Sequence, residues 1–141
     1  MRTDQIWRSE EQAIFALRGL YQRYGYTPYK MSQFEEYDLY VRNKDFLISD
    51  RIITFSGEGG KLMALKPDVT LSIVKNAPEA SGVVQKVYYS ENVYRDYREI
   101  MQAGLECVGD LTDYDIAEAV VLAAKSLALL GENYVLDISH M

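Results

Sequence analysis

Residues 83–108 read Val83-Val84-Gln85-Lys86-Val87-Tyr88-Tyr89-Ser90-Glu91-Asn92-Val93-Tyr94-Arg95-Asp96-Tyr97-Arg98-Glu99-Ile100-Met101-Gln102-Ala103-Gly104-Leu105-Glu106-Cys107-Val108, and this stretch decides the fold. Residues 83–89 and 92–94 are rich in the β-branched and aromatic side chains that suit extended chain, and 100–108 is strand-like as well. The last two runs are parted only by the charged residues around Arg95-Asp96-Tyr97-Arg98. The spacing predicts antiparallel strands meeting at a polar tip.

Working upstream, Pro67 ends a strand, Asp68 can cap, and Val69, Ile73 and Val74 fit a short helix over 69–75. Residues 51–55 and 61–65 are β-rich runs joined by Ser56-Gly57-Glu58-Gly59-Gly60, which predicts a hairpin because glycine takes positive φ cheaply. That cluster lacks the spacing and the following helix of a phosphate-binding loop. Residues 26–31, with Pro28 and alternating bulk, predict a strand, whereas 34–41 fit helix or irregular chain. Ser9-Glu10-Glu11-Gln12 reads as a capping box before apolar Ile14, Leu17, Tyr21 and Tyr24, with Gly25 as the stop; a start near Thr3 also fits. Downstream, Thr112-Asp113-Tyr114-Asp115 predicts the cap of a helix carrying Ile116, Val120, Ala123, Leu127 and Leu130, stopped by Gly131. Residues 134–138 alternate as one further strand, and its nearness to the last residue gives the expectation that more protein follows. Hairpins with helices between them define one α+β domain, a mainly antiparallel sheet flanked by helices.

Composition narrows the function. The 141 residues are 48% hydrophobic, with 15 basic and 21 acidic side chains and a net charge of −6. Residues 101–141 hold seven carboxylates against one cation, Lys125, so no basic stripe exists there to neutralise a phosphate backbone, which argues against general nucleic-acid binding. A single cysteine, Cys107, and a single histidine, His140, exclude a disulfide framework and a Cys/His zinc module and fit a reducing cytoplasm. No apolar run has the length of a signal h-region or a bilayer span, so the expectation is a protein neither secreted by a signal peptide nor embedded in a membrane.

Three polar stretches border apolar strands. Asp68 and Thr70 can accept and donate around an ammonium group, although helix capping explains them equally well. Gln102 and Glu106 lie four apart and share a strand face, with Gly104 between them leaving room for close approach to the backbone. A carboxylate among Leu105 and Cys107 needs a partner, either a ligand or a neighbouring Arg95, Arg98 or lysine. Arg95, beside Tyr94 and Tyr97, can grip a carboxylate or phosphate bidentately, or stand in a solvated hairpin tip. Cys107 among apolar neighbours reads as an inert thiol, and Asp110, Asp113 and Asp115 as favourable charges at a helix start.

Together these stretches resemble the class II aminoacyl-tRNA synthetase catalytic fold, in its histidyl-tRNA synthetase branch. Residues 25–40 look like the first motif, Leu65-Lys66-Pro67-Asp68-Val69-Thr70 like the Leu-Arg-Pro-Asp/Glu-x-Thr signature, and Tyr94-Arg95-Asp96 with residues 98–106 like the second motif. The resemblance implies that this is the N-terminal part, 1–141, of such a core domain. It implies a histidine pocket in which Asp68, Thr70 and Gln102 surround the ammonium group, Glu106 accepts from the imidazole, and Arg95 faces the carboxylate or, in a synthetase, the α-phosphate of ATP. An acceptor aimed at a ring N–H discriminates against apolar amino acids, which would leave it buried and unpaired.

Departures from the pattern point to one member of the group. Only Asp96 and Tyr97 separate Arg95 from Arg98, where synthetases carry a longer loop over ATP and toward tRNA. Ser32 stands at the usual proline of the first motif, Lys66 replaces the signature arginine, and the sequence stops before a third motif. The pattern resembles the regulatory subunit of ATP phosphoribosyltransferase, a synthetase-like protein without catalysis of its own. That resemblance implies a short-form catalytic subunit as partner, a homodimer within a hetero-oligomer, feedback by histidine, no cofactor, no nucleic acid, and a cytoplasmic location. A truncated or divergent histidyl-tRNA synthetase and an unrelated α+β interaction domain are the alternatives.

Overall fold

The structure is a computed structural model and describes residues 9–47, 51–79 and 82–139. The suggested early start near Thr3 and His140 lie outside the described residues, while Ser9-Glu10-Glu11-Gln12, expected as the cap, already stand inside the first helix. Helix α1 (Ser9–Arg23) buries Leu17, Leu20 and Tyr21. Gly25 ends it at φ 81°, the left-handed conformation that lacks steric cost only for glycine.

Two small sheets follow. Strand β1 (Thr27–Pro28) runs parallel to β5 (Val84–Arg95), which pairs antiparallel with β6 (Arg98–Gly109) along its whole length. The second sheet has the order β2 (Phe34–Glu36), β4 (Leu62–Leu65), β3 (Thr54–Ser56), all antiparallel. Residues 34–41 therefore split, the first three joining this sheet and the rest forming α2 (Tyr37–Arg42). The glycine-rich link is the expected turn, closed by Gly57 N–H donating to Lys61 O at 2.7 Å, with Gly59 and Gly60 at positive φ.

The two runs at 83–89 and 92–94 are one strand. Ser90 and Glu91 interrupt the apolar pattern but pair with Ala103 and Gln102, because the ladder is a property of the backbone and not of the side chains. At the tip, Asp96 (φ 50°) and Tyr97 (φ 62°) make a two-residue turn with both central residues left-handed, the arrangement that matches strand twist. In such a hairpin the flanking pair Arg95–Arg98 is hydrogen-bonded, so even-numbered residues of β6 bond β5 and odd-numbered ones turn their N–H and C=O outward. On β5 the even-numbered residues are therefore the outward ones, so that Tyr88 O accepts from Tyr29 N–H at 2.8 Å and Tyr94 N–H donates to Lys66 O at 2.9 Å.

Alternation gives the hairpin two faces. On one, Tyr88 packs with Leu17, Leu20, Tyr21, Tyr26 and Leu122, joined by Leu105 and Cys107. On the other, Val87, Tyr89 and Val93 pack with Val69 and Ile73 of helix α3 (Thr70–Lys75). Helix α4 (Asp113–Leu130) begins in a full capping box, Thr112 N–H donating to Asp115 Oδ2 at 2.9 Å and Asp115 N–H to Thr112 Oγ1 at 3.3 Å.

Of the apolar residues on α4 only Leu122 is buried, while Ile116, Val120 and Leu130 are exposed, because α1 covers less of the circumference than the apolar pattern spans. Two expectations fail. Val74, expected in the α3 stripe, is also exposed. Residues 134–138 form no strand among the described residues, and Val135 is 89% exposed; alternation alone makes no strand without a ladder to join. No helix among the described residues is long and apolar enough to cross a membrane.

Candidate functional site

The α3-side face of the hairpin carries Val87, Tyr89, Glu91 and Val93 opposite Glu106, Gly104, Gln102 and Ile100. Against it lies the β4–α3 connection, held by the Tyr94–Lys66 backbone bond and by Arg95 Nε donating to Pro67 O at 2.8 Å. The link works because Pro67 ends the strand and leaves its carbonyl outside any ladder.

All five residues singled out in the sequence meet here. Thr70 Oγ1 donates to Glu106 Oε1 at 2.6 Å, and Arg95 Nη2 donates to Gln102 Oε1 at 2.7 Å. Asp68 does both things open to it: Oδ1 accepts from Leu71 N–H at 3.2 Å, capping α3, while Oδ2 lies 3.8 Å from Arg95 Nη2. Arg95 thus spends one Nε and one Nη2 hydrogen on protein acceptors, two of the five N–H donors of its guanidinium group. Among the described residues Glu106 has a hydroxyl partner and no ion pair, so the expected alternative of pairing with Arg95, Arg98 or a lysine is not realised. Burial raises the Glu106 carboxyl above its ordinary range; the Thr70 bond pulls it partly back and the Asp68 charge adds to the rise.

Two features were missed. The room above Gly104 is taken by Tyr89, since a Cβ at 104 would stand 2.7 Å from the Tyr89 hydroxyl and 3.0 Å from Cζ. That hydroxyl accepts from Gln102 Nε2 at 3.2 Å, which orients the amide so that its oxygen faces Arg95. Burial first, opposed by the Gln102 bond and aided by the Glu106 and Asp68 charges, pushes the Tyr89 hydroxyl up to about 12, so it stays protonated. Register was the signal: Tyr89 is directly opposite Gly104. The second feature is Lys66, fully buried, whose Nζ meets Glu91 Oε2 at 3.2 Å. It ties the β4–α3 connection to the hairpin beside Gln102, the cross-strand neighbour of Glu91.

Cys107 is half-buried, and burial raises its thiol above the ordinary value, in keeping with an inert group. No cluster of His, Cys, Asp and Glu suited to a metal ion occurs among the described residues. The site is an array of oxygen acceptors, Asp68, Thr70, Gln102 and Glu106, with Arg95 at one end, and it suits a small ligand that presents several N–H donors.

The fold is that of a class II aminoacyl-tRNA synthetase-like domain of α+β type, similar to solved histidyl-tRNA synthetases. The family described as histidyl-tRNA synthetase matches residues 3–141, and the chain belongs to that family. A histidine–tRNA ligase of Archaeoglobus fulgidus is 28% identical over 135 residues, covering 89% of this chain and 33% of the relative. The solved histidine–tRNA ligase subunit of Alicyclobacillus acidocaldarius superposes with a TM-score of 0.74 at 27% identity, covering 89% of this chain and 38% of that one. An ATP phosphoribosyltransferase regulatory subunit/histidyl-tRNA synthetase from Bacillus halodurans gives 0.74 at 21% identity, covering 87% and 34%. The HisG:HisZ complex of ATP phosphoribosyltransferase from Thermotoga maritima gives 0.61 at 18%, covering 83% and 41%. The chain spans about a third of the length of the curated relatives it matches.

Proposed function

We propose that this chain acts as a non-catalytic, histidine-binding regulatory subunit of ATP phosphoribosyltransferase, or the N-terminal part of one, in the first step of histidine biosynthesis. One observation carries the reading: the β5–β6 ladder stays closed to its last pair, Arg95–Arg98, leaving a two-residue turn beside an intact acceptor array. The array suits an amino acid: Asp68, Thr70 and Gln102 for its ammonium group, Glu106 for its imidazole N–H, and Arg95 for its carboxylate. A turn of two residues offers no loop to enclose a nucleotide or reach an acceptor stem. The partner would be a short-form catalytic subunit in the cytoplasm, with this protein a homodimer inside the hetero-oligomer.

The second reading, a divergent histidyl-tRNA synthetase, is favoured by the names of the curated relatives. Co-purification with a short-form ATP phosphoribosyltransferase, followed by its activity with and without histidine, tests the first. Histidine-dependent ATP–pyrophosphate exchange by this protein would establish the second and refute the regulatory assignment.

A further inference from the structure

The hairpin face that carries Glu106 holds one polar group that the protein leaves unanswered. Gln85 pairs with Val108 in the register that sets Val87 opposite Glu106, so it stands on the same side of the ribbon, one row further from the tip. Its Oε1 is buried with no hydrogen-bond donor among the described residues. Buried side-chain acceptors are paired in the great majority of cases, and an unpaired one calls for a reason. Its neighbours on the face are all engaged: Glu106 by Thr70 at 2.6 Å, Gln102 by Arg95 and Tyr89, Glu91 by Lys66 at 3.2 Å. Folding alone supplies no reason for an amide here, since a leucine of similar size beside Val87 and Val108 would strand no oxygen.

Counted away from the tip, the rows of this face run Glu91–Gln102, Tyr89–Gly104, Val87–Glu106 and Gln85–Val108. An amino acid laid with its carboxylate toward Arg95 and its ammonium group at Asp68, Thr70 and Gln102 sends its side chain along these rows, past Glu106 and toward Gln85. Glu106 and Gln85 stand on opposite strands in successive rows, a diagonal of about 7–8 Å. One five-membered ring with a hydrogen bond of about 2.9–3.0 Å at each nitrogen covers such a gap. The proximal nitrogen, Nδ1, then meets Glu106, and the distal one, Nε2, meets Gln85.

We propose that Gln85 is a specificity-determining residue of this site, binding the ring nitrogen of histidine that Glu106 does not reach. The inference rests on the histidine reading given above and adds a second ring contact to it. An amide suits the place because no hydrogen bond to a described residue fixes its orientation, and half a turn about its last torsion exchanges oxygen for nitrogen. Oε1 accepts from the ring when Nε2 carries a proton, and the amide N–H donates to the ring when it does not. In both states the imidazole is held at both nitrogens, which no apolar side chain satisfies.

Calorimetric titration with histidine and with its Nε2-methyl and Nδ1-methyl derivatives, alongside urea denaturation of each variant, tests this. Gln85→Leu is expected to weaken histidine binding about tenfold while leaving the urea midpoint unchanged or raised, because it removes an unpaired buried oxygen. A purely structural role would move stability and leave affinity alone. The unmodified protein is expected to bind Nε2-methylhistidine at least about tenfold more weakly than histidine, and Gln85→Ala, which opens space at the distal nitrogen, narrows that ratio to about threefold or less. Nδ1-methylhistidine, blocked at Glu106, is rejected by both. Histidine binding that Glu106→Gln weakens and Gln85→Leu does not, affinity and stability lost together in Gln85→Leu, or equal binding of histidine and Nε2-methylhistidine by the unmodified protein would overturn this inference and leave the histidine reading standing. Absence of histidine binding by the unmodified protein would overturn both.

Discussion

Gly104→Ala is expected to destabilise the protein and disturb the site, although a strand ordinarily prefers alanine to glycine. Relief of backbone entropy favours the substitution by about 0.5–1 kcal/mol. Against this, the new methyl stands 2.7 Å from the Tyr89 hydroxyl and 3.0 Å from Cζ. The ring cannot swing aside freely, because Tyr89 is 6% exposed and packed among Val69, Ile73, Val87 and Val93. Overpacking of this kind costs about 1–3 kcal/mol, and displacing the hydroxyl also strains its bond with Gln102, worth about 1 kcal/mol. The net expectation is a loss of about 1–3 kcal/mol in urea denaturation. The nearest obstruction is the oxygen, so Tyr89→Phe in the Gly104→Ala background restores part of the loss while costing stability in the parent. A double-mutant cycle in which the two changes simply add would refute the reasoning, since it would show that Tyr89 does not occupy the space above position 104.

Tyr97→Gly places glycine at a left-handed position whose side chain is 72% exposed, and is expected to stabilise the hairpin by about 0.5–1 kcal/mol, read as a higher urea midpoint at unchanged slope. Lys66→Met strands the Glu91 carboxylate and is expected to cost about 3 kcal/mol, with Lys66→Met/Glu91→Gln recovering much of it in the same assay. An acid whose pKa is raised by folding penalises the folded state in its ionised form, fully above the folded value and not at all below the unfolded one. The Glu106 contribution to stability therefore declines as pH rises from 4.5, and Glu106→Gln is expected to flatten that decline in denaturation measured at successive pH values. The same variant is expected to weaken histidine binding in calorimetry, because a neutral amide replaces a charged acceptor.

Much of this architecture was legible because its signals are local. The polar tip at 95–98, the glycine turn at 56–60, the Gly25 stop and the Thr112 cap are each fixed by residues within one turn of chain. The site was legible through register, since the even spacing of Gln102 and Glu106 guarantees a common face. What escaped depends on partners distant in sequence. Ser90 and Glu91 look like a break until Ala103 and Gln102 pair with them. Lys66 shows in the sequence only as a replacement for the signature arginine, and its burial becomes tolerable only through Glu91, 25 residues away. Residues 134–138 have the alternation of a strand and lack the neighbour that makes one.

On β6, Gln102, Gly104 and Glu106 look toward α3, while Met101, Ala103 and Leu105 look toward α1 and α4. One ribbon of backbone therefore serves as mounting for the polar grip and as margin of an apolar groove.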